Sequence, residues 1–172
     1  MVIPEKLNDF RIYANGSTDL KGVADLQLPS FEPMSDTVSG AGIAGEYDSP
    51  TLGHFQSMKL TINWKVITSE IVEFLKPQPI NIDCRLANQE YNSTKGKHEF
   101  KANRVIVRGI PGPNDLGKAE KGSTYDGSTE IEILYIKIER DGRTLVELDK
   151  VNYIYNVDGV DYMSALREAL GM

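Results

Sequence analysis

The chain has 172 residues, 40% of them hydrophobic and 26% charged, and a net charge of −6. That balance suits a soluble globular protein able to bury a core, and we read residues 1–172 as a single domain. No apolar run approaches the roughly 20 residues of a membrane-spanning helix, the opening MVIPEKLNDF has no leader pattern, no Lys/Arg cluster offers itself to phosphate, and the lone Cys84 excludes an internal disulfide.

Residues 10–14 predict a short strand meeting Asn15-Gly16, a dipeptide suited to a two-residue hairpin turn, with residues 21–28 as its partner. From 29 to 53 periodicity is lost and Gly, Ser, Pro and Asp gather, which reads as a long loop or arm. Connections beyond about 12–15 residues are usually functional or disordered. Residues 56–66 are the clearest strand, with Met58, Leu60, Ile62, Trp64 and Val66 alternating with Ser57, Lys59, Thr61, Asn63 and Lys65. Thr68 is placed to cap a short helix carrying Ile71, Val72, Phe74 and Leu75, ended by Pro77 and Pro79.

Residues 80–86 alternate again, with Ile80, Ile82, Cys84 and Leu86 on one face and Asn81, Asp83 and Arg85 on the other. Residues 100–107 and 130–139 are further strands, the second shifting phase near Ile133-Leu134 as a bulge would. Segment 111–128 between them reads as a second long loop. Asp141-Gly142 turns the chain back through 144–148, and a strand with Val151, Tyr153, Tyr155 and Val157 on one face runs into Asp158-Gly159. Asp161 then stands where a helix N-cap belongs, and 162–170 carry apolar residues at helical spacing until Gly171. The expected fold is mainly β, an antiparallel barrel or sandwich with one or two short helices and long loops.

Little of the sequence points to catalysis. Gly40, Gly42 and Gly45 have G-x-G-x-x-G spacing, but that motif holds a pyrophosphate only between a buried strand and a helix N-terminus. Residues 32–39 are polar and Pro50 bars a helix, so the segment reads as a flexible loop that lets a neighbour approach closely. His54 and His98 lie far apart with no cysteine beside them, so no metal or cofactor is expected. The carboxylates scatter over loops and polar faces, Asp126-Gly127 reads as a turn, and no catalytic residue is assigned. Tyr135, Tyr153, Tyr155 and Tyr162 sit on apolar faces without interleaved arginines, which suits packing better than stacking on bases.

The polar strand faces are either the wet side of a sheet or the lining of a channel. Strands at 22–28 and 130–138 carry few charges in their middles to guard an edge, so pairing with another copy is expected, and both long loops could reach a neighbour. The string from Asp141 to Met172, DGRTLVELDKVNYIYNVDGVDYMSALREALGM, resembles without a gap the C-terminal signature of the major tail tube protein of contractile-tailed phages and R-type pyocins. The opening IPEKLNDFRIYANG and the segment SGAGIAG are similar too.

The resemblance implies a barrel-like subunit with a flanking helix, forming hexameric rings whose inner sheets join around a lumen and stack into a tube. It implies as partners other copies of the chain, a tail sheath protein, a tape measure protein, and baseplate and tail terminator proteins. DNA passes through without specific binding, nothing inserts into a membrane, and the subunit resides in a virion or an extracellular tail-like particle after assembly in host cytoplasm. On it, Gly40, Ala41, Gly42, Ile43, Ala44 and Gly45 are expected at an inter-subunit contact, and Lys59, Thr61, Asn63, Asp83 and Arg85 in the lumen. Copies of a −6 chain would make that bore acidic and discourage DNA adhesion. The rival readings are a stand-alone β-sandwich that binds a ligand on an aromatic platform, for which Trp64 is the only tryptophan, and a ring protein of the type VI secretion kind.

Overall fold

The computed structural model describes residues 1–16 and 18–172. In chain order the strands are β1 (Val2–Ala14), β2 (Thr18–Asp19), β3 (Val23–Gln27), β4 (Pro33–Ser39), β5 (Glu46–Phe55), β6 (Lys59–Trp64), β7 (Ile80–Asn92), β8 (Lys97–Asp115), β9 (Gly127–Arg140), β10 (Arg143–Asp149), β11 (Ile154–Val157) and β12 (Val160–Asp161). A 3-10 helix, Ser69–Phe74, follows β6, and α1 (Ser164–Ala169) follows β12. The fold is mainly β and antiparallel, as the alternation predicts. One sheet runs β12–β11–β10–β9–β8–β7–β1–β2, with β6 paired to β9 and β3 to β6, while β4 and β5 form a separate two-stranded sheet.

Alternating apolar residues build the core. Ile12 and Ala14 of β1, Leu60, Ile62 and Trp64 of β6, Ile80, Ile82 and Cys84 of β7, Val105 and Val107 of β8, and Ile131, Ile133 and Ile136 of β9 form one buried cluster. Strands far apart in the pairing order can share a core only if the sheet curls upon itself. Ile71 and Phe74 of the 3-10 helix join the cluster, with the Phe74 ring edge-on to Trp64 at 5.9 Å. Thr68 precedes that helix in extended backbone, but its side chain makes no capping hydrogen bond.

Three turns form as their dipeptides predict: φ is 50° and 87° at Asn15-Gly16, 48° and 80° at Asp141-Gly142, and 51° and 81° at Asp158-Gly159. Paired positive φ values give the turn whose twist matches the strands it joins. The partner expected for residues 10–14 is corrected, because β2 alone folds back on β1 whereas β3 crosses to β6. The phase shift in β9 is a bulge: Gly109 faces Ile133 and Arg108 faces Tyr135, so Ile133 and Ile136 both point into the core. Gly109 permits this, since a Cβ there would lie 2.0 Å from the Glu132 carbonyl oxygen.

Segment 29–53, expected to lack regular structure, holds the β4–β5 hairpin, whose two faces are both largely exposed and so carry no apolar alternation. Segment 111–128 is shorter as a loop than expected, because β8 pairs with β9 as far as Asp115. Pro111 and Pro113 are tolerated there because β7 pairing ends at Gly109, leaving that edge of β8 without a ladder to interrupt. The continuous strand expected through 151–157 is broken: the Asp149 carboxylate accepts the backbone N–H groups of Val151 and Asn152, and Tyr153 adopts a φ of 54°. Val151 is therefore exposed. Asp161 lies two residues before the Met163 N-cap, where it accepts the Met163 N–H and pairs with Arg167.

Candidate functional site: an exposed arm and a polar sheet face

The β4–β5 hairpin is an arm. Its strands exchange hydrogen bonds with each other, and Met34, Val38, Ile43, Tyr47 and Leu52 stand exposed on it. Residues 22–58 contain Asp25, Glu32, Asp36, Glu46 and Asp48 but no lysine or arginine, so much of the chain's acidity gathers here. Gly40, Ala41, Gly42, Ile43, Ala44 and Gly45 form the tip and are all exposed. Gly40, Gly42 and Gly45 have φ of 136°, 95° and 118°, and a Cβ at any of them would meet nothing within 4 Å. Their conformation thus requires glycine for backbone geometry, and room within the subunit is not the reason.

The base of the arm is fixed to the C-terminal segment. Phe55 packs edge-on to Phe31 at 5.6 Å and to Tyr155 at 5.1 Å, and Lys150 donates from Nζ to the Gln56 carbonyl at 2.9 Å. Gly53 lies against Met163, which is buried. Tyr155 and Met163 both belong to the stretch 141–172, so the segment most legible in the sequence is the one that sets the arm's direction.

Lys59, Thr61, Asn63, Asp83 and Arg85 come together on one face. In register, Lys59 lies opposite Glu132 and Thr61 opposite Glu130, while Asp83 faces Ile106, which faces Lys137, and Arg85 faces Arg104, which faces Glu139. Cross-strand partners share a side of the sheet, and this side is opposite the buried one carrying Leu60, Ile82 and Val107. The five residues therefore lie on the outward surface of β6 and β7, joined through β9 and β8.

This surface is paired charge. The Arg104 guanidinium reaches Asp83 through Nε at 2.9 Å and a second nitrogen at 2.8 Å, and Arg85 contacts the same carboxylate at 3.3 Å. Lys137 bonds Glu139 at 3.0 Å, Lys59 lies 3.5 Å from Glu130, and Asn63 bonds Asp25. Burial pushes the Asp83 pKa up, but the hydrogen bonds and charges of Arg104 and Arg85 outweigh it and hold the carboxyl below its ordinary value. A hydrogen bond from Lys137 to Glu139 raises the lysine. On this surface Asp83, Glu139 and Glu130 stand beside cations, whereas Glu132 accepts from Ser57 and Asp25 accepts from Asn63, and Asp36, Glu46 and Asp48 add further acid on the arm.

Other candidates resolve into packing. His54 contacts the Leu52 carbonyl at 2.9 Å, and His98 lies 3.2 Å from Glu5. Among the described residues no group of three or more His, Cys, Asp or Glu side chains could hold a metal, and no helix is long and apolar enough to cross a membrane. Cys84 is buried, and burial pushes its thiol up to about 12. Tyr135 corrects the expectation for the tyrosines: it lies on the polar surface beneath Arg108, with 4.3 Å from guanidinium carbon to ring centroid. Sequence alone does not bring the arginines of β8 to this surface, because Arg104 and Arg108 reach it by pairing with Arg85 and Asn81 of β7, which only register reveals.

Residues 4–171 match the family of phage tail tube protein FII. The chain is similar to the tail tube protein of Escherichia phage P2, 27% identical over 177 residues and covering all of both chains. It is also similar to the major tail tube protein of Serratia phage KSP20, 26% identical over 175 residues, covering all of this chain and 99% of that one.

Proposed function

We propose, from the premise that this chain belongs to the phage tail tube protein FII family and is a structural protein of a phage tail and not an enzyme, that its copies close into hexameric rings stacked as the inner tube of a contractile tail or tail-like particle. Each copy contributes one domain, residues 1–172. The outward face of β6, β9, β8 and β7 lines the bore, with Lys59, Thr61, Asn63, Asp83 and Arg85 on it. The arm tip, residues 40–45, seats on a neighbouring subunit. The sheath protein surrounds the tube, the tape measure protein occupies it before ejection, and baseplate and terminator proteins close its ends. The work of the subunit is geometric, a rigid conduit that carries DNA or another cargo without binding it.

The observation that carries this reading is the arm. A two-stranded hairpin is at best marginally stable in water by itself, yet this one exposes Met34, Val38, Ile43, Tyr47 and Leu52 to solvent. A second copy that covers these side chains gives them the burial the single chain withholds. The test is Gly42→Trp followed by negative-stain electron microscopy of the concentrated protein. Open space around Gly42 leaves the subunit able to fold, with only the cost of an L-residue at a φ of 95°, about 1–2 kcal/mol. The expected outcome is a folded subunit that forms no tubes, and normal tubes from this variant would overturn the arm assignment.

A further inference from the structure

The outward face that the proposed function places in the bore has a local charge order. Asp83, Glu139, Glu147 and Asp149 stand among Arg85, Arg104, Lys137 and Arg108 on adjoining strands. Two arginines share Asp83, and Lys137 is bonded to Glu139 with Arg104 3.9 Å from the same carboxylate. Glu147 lies opposite Lys137 and accepts the Tyr135 hydroxyl, while Asp149 lies opposite Tyr135, the ring that Arg108 covers. Arg85, Arg104 and Lys137 are thus held in ion pairs and Arg108 lies on the Tyr135 ring, so the patch offers little unengaged positive charge despite its density of arginine.

The depth of the two signs differs. The side chains of Asp83 and Glu139 are each 16% exposed, against 60% for Arg85 and 41% for Arg104. The carboxylates sit beneath the guanidinium groups and hold them in place. We propose that Asp83 and Glu139 are masking residues: they engage Arg85, Arg104 and Lys137 in ion pairs so that the phosphate backbone of passing double-stranded DNA meets no free cation. This rests on the reading that the face lines the bore and adds to it the residues that keep the conduit from becoming a trap. Each cation released to a phosphate displaces a counterion, which raises affinity and steepens its salt dependence by about 0.9 in log–log slope. Loss of Asp83 frees Arg85 and takes from Arg104 its nearest partner, leaving Arg104 only the Glu139 carboxylate at 3.9 Å.

The test uses purified full-length protein and a short fluorescent DNA duplex, titrated by anisotropy across a salt series. Asp83→Asn is expected to bind about tenfold more tightly than the unaltered protein at low salt, with a slope steeper by up to about two counterions. Glu139→Gln moves the same way and serves if the Asp83 variant fails to fold, which its circular dichroism melt reports. Glu168→Gln makes the same change in net charge on an exposed side chain that holds no ion pair among the described residues and should leave affinity within twofold. Asp83→Asn and Glu139→Gln binding no better than Glu168→Gln would overturn the masking. Electron micrographs of assembled Asp83→Asn tubes mixed with gold-labelled duplex separate the two ideas: label at the tube ends sustains both, whereas label along the outer wall sustains the masking and overturns the placement of this face in the bore.

Discussion

Gly53→Ala tests how the arm is held. Gly53 has a φ of 70°, and a Cβ on it would lie 2.0 Å from Sδ, 2.9 Å from Cε and 3.2 Å from Cγ of Met163. The left-handed backbone costs an alanine about 1–2 kcal/mol. Displacing Met163, only 2% exposed, adds an overpacking cost of roughly 1–3 kcal/mol. The total of about 2–5 kcal/mol corresponds, in a chain of this size, to a fall in Tm of roughly 5–20 °C. Gly16→Ala is the matched control, since φ there is 87° and a Cβ would meet nothing within 4 Å. Circular dichroism melts of the two variants measure the difference, and limited proteolysis should cut the arm of the Gly53 variant sooner. Equal losses from both substitutions would refute the claim that the arm is locked against the C-terminal segment.

The other predictions concern the core and its charges. Trp64 donates from Nε1 to Thr129 Oγ1 at 2.9 Å, and that hydroxyl donates to Asn114 at 2.6 Å. Thr129→Val keeps the shape and orphans the indole, an expected loss of about 1–3 kcal/mol measurable in urea by the fluorescence of the only tryptophan. Cys84, with its thiol pushed up to about 12 by burial, should resist Ellman's reagent in the native protein at mildly alkaline pH and react once per chain after denaturation. Asp161 is held below its ordinary value by hydrogen bonds from Arg167 and then from the Met163 N–H, and Asp83 is lowered by its arginines against the pull of burial. Their folded values lie below their unfolded ones, so the stabilisation is complete above an ordinary carboxylate pKa of about 4 and is lost as pH falls through the folded values. Thermal melts should hold steady above that point and drop below it, and Asp83→Asn should flatten the drop.

Much of the fold was legible because burial on one face leaves a period of two. Residues 58–64 and 80–84 show it, and both are core strands. The turns were legible because Asn-Gly and Asp-Gly suit paired positive φ. What stayed hidden has the opposite character. In β1, residues 2–9 are exposed on both faces, as is nearly all of the arm, so backbone pairing fixes these strands without an apolar pattern to announce it. Residues 151–157 carry a strand's alternation through Val151 and Tyr153, yet the Asp149 carboxylate caps a turn there. The polar residues of β6 and β7 were recognisable singly. Their arrangement as a surface of cross-strand ion pairs was not, since Arg104, Lys137 and Glu139 join it by register and net charge says nothing about where the acid lies.

The central claim is that copies of this chain enclose a channel whose wall is the outward face of β6, β9, β8 and β7. Electron cryo-microscopy of the assembled particle tests it most directly. The account predicts rings in which Lys59, Thr61, Asn63, Asp83 and Arg85 face the axis and residues 40–45 touch an adjoining subunit. A tube with those five side chains on its outer wall, and the arm tip in solvent, would contradict it.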